Sequence, residues 1–147
     1  MKTKLSVLKY INRIYKEVAR NGMKTPIESS FTEELQFLSE YFKTDKTEAF
    51  FITIIFSIIF EKGYAADIRK IADVLKWNTI DVLEYNNIFE KLTDKDYFIK
   101  NAFRGHRRSV NVDYTFSLNK KITEKIIANE AFPDLNERKY ELTVDLQ

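Results

Sequence analysis

Between Ala49 and Phe60 the chain reads AFFITIIFSIIF, twelve residues without a single charge. A helix needs about 20 apolar residues to cross a bilayer, so this run is too short to span one. It also lacks the polar stripe that would let one side face water. A helix apolar nearly all round has to sit at the centre of a core, with amphipathic elements packed around it. The chain has the material for this: 147 residues, 44% hydrophobic and 31% charged, enough for one domain and a single core. Three glycines and two prolines leave few tight turns, which favours a mainly helical fold over a β-sandwich or a Gly-rich phosphate cradle. There is no cysteine and one histidine, His106, so disulfide frameworks, thiolate zinc sites, cysteine nucleophiles and histidine-based triads drop out. Lys2 and Lys4 precede an apolar stretch, but Lys9 and Arg13 interrupt it before a signal-peptide core could form. The expectation is a cytoplasmic, non-enzymatic chain without a membrane span, cofactor or metal.

The remaining apolar positions fall into stripes. Leu8, Ile11, Tyr15 and Val18, widened by Leu5, Val7 and Ile14, predict an amphipathic helix over 4–21 that ends near Gly22. Its other face is basic, through Lys9, Arg13, Lys16 and Arg20, and either lies on DNA or an anionic membrane or faces water and the acidic 28–48 region. Ser30-x-x-Glu33 has the form of a capping box opening a helix over 31–43, with Phe31, Leu35, Leu38 and Phe42 inward. Asp45-x-x-Glu48 is a second box, opening the apolar helix 47–61 before Gly63. Ile68, Ile71, Ala72 and Leu75 mark the next helix. After a short connection at Lys76 to Asn78, Ile80, Leu83, Phe89 and Leu92, with Val82 and Tyr85, mark another over 79–92. Two helices so joined form a helix-turn-helix. The period then changes: Tyr97 to Phe103 and Val112 to Leu118 read as the strands of a hairpin with a polar loop, and a last helix runs over 119–130.

This order of elements is that of a winged helix-turn-helix. The segments TDKTEAFF (44–51), DIRKIADVLKWNTIDVLEYNNIFEKL (67–92) and KIIANEAFPD (125–134) resemble the winged-helix N-terminal domain of a group of bacterial AAA-family ATPases. The resemblance covers about residues 40–135 and implies a domain that accompanies an ATPase module. Such a module needs a G-x-x-x-x-G-K-[ST] loop, and Gly22, Gly63 and Gly105 each stand outside any such frame. The chain is then either a fragment of a longer protein or a free-standing relative. The expected organisation is a helical extension over 1–46, a winged-helix domain over 47–132, and a tail or linker to a missing module over 133–147. In that tail Tyr140, Leu142, Val144 and Leu146 alternate with polar residues.

Charge is strongly segregated. Residues 1–24 carry +6 and residues 25–62 carry −4. In the usual mode the second helix of a helix-turn-helix enters the major groove, and the wing touches phosphate or minor groove. Here 79–92 holds Asp81, Glu84 and Glu90 against Lys91, a net of −2 that opposes groove entry. Asn86 and Asn87 are its candidates for base edges, or plain solvent-facing residues. The wing is the better candidate: 97–119 carries Lys100, Arg104, Arg107 and Arg108 against Asp113, a net of +3, concentrated in Arg104-Gly105-His106-Arg107-Arg108. Arginines there can fork onto phosphate oxygens, with His106 adjacent and Lys120 and Lys121 extending the patch. The alternative is a loop kept polar for solubility. Trp77 is expected to anchor the turn. Acidic pairs such as Glu33-Glu34 and Asp94/Asp96 read as cap and turn residues. The expected function is nucleic-acid binding through wing phosphates, as the recognition domain of an ATPase-like parent. The alternatives are a protein-protein interaction module and a stand-alone transcription regulator.

Overall fold

In the computed structural model, which describes residues 6–102 and 114–135, the apolar run lies within the helix Lys46–Lys62. We number helices and strands in chain order: α1 is Val7–Asn21, α2 Thr32–Phe42 and α3 Lys46–Lys62. Every residue from Thr47 to Ile58 is buried, so α3 is the axis on which the rest is assembled. Its N-terminus is closed as the sequence predicts. The Asp45 carboxylate accepts from the Glu48 N–H (2.8 Å) and Glu48 Oε1 accepts from the Asp45 N–H (3.1 Å). Gly63, at φ 82°, takes the left-handed conformation that stops the helix.

Helix α1 turns Tyr10, Ile11, Ile14 and Val18 inward, and α2 turns Leu35, Leu38 and Phe42. The box expected at Ser30 and Glu33 does not form. Phe31 precedes α2 at φ 51° and packs against the core, and the Ser30 N–H bonds back to the Ile27 carbonyl (3.1 Å) to close a 3-10 turn over Ile27–Ser29. Placing the Phe31 ring on the core outweighs the hydrogen bond that Ser30 would supply.

The helix-turn-helix is present, with a correction. After β1 (Ala66–Asp67) and α4 (Ile68–Leu75), the expected single helix 79–92 is two: α5 (Thr79–Leu83) and α6 (Asn86–Asp94), separated at Glu84 and Tyr85. The Asn78 side chain and Asp81 form a capping box that fixes where α5 starts, which turns Val82 into the core and leaves Ile80 69% exposed. The break then turns Tyr85 against Phe51 (5.2 Å) and Trp77 (5.7 Å).

Strands β2 (Phe98–Ala102) and β3 (Tyr114–Leu118) form the hairpin, in register from Phe98↔Leu118 to Ala102↔Tyr114. β1 adds to the other edge of β3, giving an antiparallel sheet of order β1-β3-β2. At two residues β1 is too short to show an alternating pattern, and the sequence did not reveal it. Helix α7 (Lys120–Ala128) buries Ile122 and Ile126. The fold is thus mainly helical with a small β-hairpin. A single buried cluster runs from Val7 to Ile126, so α1 and α2 share the core with the elements from α3 to α7. Phe132 fastens the segment after α7, stacking on Tyr97 (5.4 Å) with its edge towards Tyr41 and Phe42. Among the described residues no helix is long and apolar enough to cross a membrane.

Candidate nucleic-acid interface

The hairpin pairs up to Ala102 and Tyr114, so residues 103–113 connect two locked strand ends. Arg104, His106, Arg107 and Arg108 belong to that connection and lie outside the described residues. Lys100 is on β2, where its Nζ lies 3.3 Å from Glu90 of α6 and 4.0 Å from the centre of the Tyr114 ring. Its charge is already engaged within the fold, so it offers less to an external phosphate than a free lysine would.

The turn at Lys95 and Asp96 joins α6 to β2, and the Glu90–Lys100 pair sets the two side by side and antiparallel. Asn86 and Asn87, exposed in the first turn of α6, therefore stand at the same end of the domain as the hairpin connection. Lys120 and Lys121 do not. They open α7 after β3 has run its five residues away from the connection, about 17 Å at 3.3 to 3.4 Å per residue. That base is tied down by Asn119, whose N–H donates to the Tyr97 carbonyl (2.9 Å) and whose Nδ2 donates to the Asp96 carbonyl (2.7 Å).

Beneath α6 lies a pair that the sequence did not reveal. Glu48 is 3% exposed and accepts from Lys91 Nζ at 2.8 Å. Burial alone would raise the Glu48 pKa. The Lys91 hydrogen bond, the Asp45 N–H and the charges of Lys91 and Lys95 outweigh burial and hold it below the ordinary carboxylate range. The same contact holds Lys91 above its ordinary value, through the hydrogen bond to Glu48 first. With Glu90 on Lys100 and Lys91 on Glu48, α6 spends these two charges inside the domain. A capping acid and a lysine 43 positions away leave no local pattern that would betray the pairing.

Trp77 is an anchor, but across a longer span than expected. Its Nε1 donates to the Met23 carbonyl (2.7 Å), and the Met23 N–H donates to the Leu75 carbonyl (2.9 Å), so the loop after α1 is bonded to the end of α4. The Tyr97 hydroxyl donates to the Phe42 carbonyl at 2.6 Å. Burial first, then the Glu48 charge, raises its pKa, so the phenol remains a protonated donor at neutral pH. Among the described residues no cluster of three or more histidine, cysteine, aspartate or glutamate side chains could hold a metal. Comparison with known protein families, with characterised proteins and with solved structures finds no match.

Proposed function

We propose that the chain is a non-catalytic, winged-helix-like module that binds nucleic acid through the phosphate backbone, by way of the basic connection between β2 and β3. One observation carries this reading: the paired strand ends at Ala102 and Tyr114 present a connection whose sequence carries Arg104, Arg107 and Arg108 against Asp113. Guanidinium groups concentrated on one loop suit bidentate contact with phosphate oxygens. Exposed Glu84 at the end of α5 and the internal use of Glu90 and Lys91 by α6 argue for contact at the wing in preference to helix insertion into the major groove. Asn86 and Asn87 stand at the wing's end and add polar contacts. Lys120 and Lys121 form a separate basic point at the hairpin base. In the ATPase-like setting that the sequence resembles, such a module holds the substrate nucleic acid while another part does the work.

The test is an anisotropy titration of the chain with a random-sequence duplex at about 50 mM salt. Non-specific binding is typically about 10⁻⁴ to 10⁻⁶ M at physiological salt and tightens as salt falls. Binding that is lost on replacing Arg104, Arg107 and Arg108 together by Ala is the expected result. No binding at that salt, or binding indifferent to the triple change, overturns the reading.

A further inference from the structure

A second surface, remote in sequence from the wing, has the chemistry of a docking groove. Leu8, Phe60 and Ile127 are 37%, 52% and 54% exposed, and all three line one depression of about 520 Å³, together with Ile11, Tyr15 and Phe56. Tyr15 also lines a neighbouring depression of about 260 Å³, with Ala19, Val74, Lys62 and Lys76. The two share Tyr15 and together follow α1 from Leu8 to Ala19, about 16 Å at 1.5 Å per residue; the first is the apolar one, and the second carries Lys62, Lys70, Asp73 and Lys76.

The rim of the furrow is charged on one side. At 100° per residue, Leu8, Asn12, Tyr15 and Ala19 share one face of α1, and Lys9, Lys16 and Arg20 share the next face outward. None of these three cations has an ion-pair partner among the described residues, in contrast to Arg13, which lies 3.8 Å from Glu34. Lys62 and Lys76 add charge at the far end, opposed by Glu61 and Asp73. An apolar floor two helical turns long, from Leu8 to Tyr15, beside a basic ridge is complementary to a helix with one apolar face and one acidic edge.

We propose that this furrow binds an acidic amphipathic helix of a partner protein, which places apolar side chains at helical spacing over Leu8, Phe60, Ile127 and Tyr15 and carboxylates over Lys9, Lys16 and Arg20. A nucleic acid would satisfy the ridge and leave the apolar floor wet. A two-fold pairing would offer the ridge only the lining of the same two depressions, whose acidic residues are Glu61 and Asp73 alone.

A displayed library of 14-residue helices, panned with the whole chain, tests this, with two variants as controls: Leu8→Ser/Phe60→Ser, and Lys9→Glu/Lys16→Glu/Arg20→Glu. These residues are exposed or partly so, and thermal melts check that both variants fold. The expected result is enrichment of helices with apolar residues at i, i+3 or i+4, and i+7 and with acidic flanks, whose affinity falls at least tenfold for each variant. Enriched peptides without acidic flanks, or peptide binding that either variant leaves unchanged, overturn the proposal. So does a dimer in sedimentation that Leu8→Ser/Phe60→Ser dissolves, which makes a second copy the occupant. Binding of duplex or anionic vesicles that the charge reversal abolishes and the apolar variant leaves intact assigns the ridge to phosphate instead. The groove and the wing share no residue, so either can fail alone.

Discussion

Replacing Glu48 by Gln isolates the buried charge that joins α3 to α6. Glutamine keeps an oxygen that can accept from the Asp45 N–H, so the capping box survives, while its NH2 in place of Oε2 takes away both the charge and the acceptor that Lys91 uses. Breaking a fully buried pair costs about 3 to 5 kcal/mol, and an exposed pair is worth about 0 to 1 kcal/mol. Glu48 belongs to the first class, with 4% of its side chain exposed. Lys91, at 52%, belongs to the second and rehydrates when its partner is neutralised. The expected loss at pH 7 is therefore intermediate, about 1 to 2 kcal/mol. With a urea slope of about 2 kcal/mol/M, that moves the midpoint down by about 0.5 to 1 M. Trp77, the only tryptophan, reports the transition by fluorescence. The pH dependence fixes the cause. The folded pKa of Glu48 lies below its unfolded value of about 4.3, so the carboxylate stabilises the fold above that pH and ceases to do so as pH falls through the folded value. Between pH 7 and pH 2 the gap between wild type and Glu48→Gln should close. Equal midpoints at pH 7, or a gap that persists undiminished at pH 2, would refute the reasoning.

Ile55→Ala, at a fully buried site on α3, should cost about 2 to 5 kcal/mol in urea unfolding, and a loss below about 1 kcal/mol would remove α3 from the centre of the core. Gly22→Ala should cost more than Gly63→Ala. Gly22 has φ 78° and ψ −176°, a region essentially restricted to glycine, and a Cβ there would lie 2.9 Å from both the Leu75 carbonyl oxygen and Lys76 Cβ. Gly63 is left-handed but open, so its change should cost about 1 to 2 kcal/mol against about 2 to 3 kcal/mol or more at Gly22, and the reverse order in paired melts would contradict the packing of α1 on α4. Thr53→Val should stabilise by about 1 kcal/mol, because the buried Thr53 hydroxyl has no partner, and a loss of stability would show that it has one.

The parts of the fold that local rules govern were legible in the sequence. The uniform apolarity of 49–60 identified the central helix, and Asp45 with Glu48 marked where it starts. The change of period at Tyr97 marked the hairpin. Where two local rules competed, packing decided: Ser30 yielded to Phe31, and the cap at Asn78 turned Val82 inward in place of Ile80. Long-range contacts carry no sequence signature, which is why the Glu48–Lys91 pair, the Trp77–Met23 bond and β1 went unseen. The site divides in the same way. Charge pattern singled out Arg104, Arg107 and Arg108, which lie outside the described residues; that Lys100 is held by Glu90, and that Lys120 and Lys121 fall at the hairpin base, follows only from the ion pair and the strand register.

The salt dependence of duplex binding tests the proposed function most directly. Each phosphate contact contributes a slope of about −0.9 in log affinity against log salt. If Arg104, Arg107 and Arg108 carry the interaction, replacing all three by Ala should flatten the slope by up to about 3 units. Lys100→Ala should change it by much less than one unit, because Glu90 and Tyr114 already hold that ammonium. A slope that the triple change leaves intact, or one that falls as far with Lys100→Ala as with an arginine, would contradict the account.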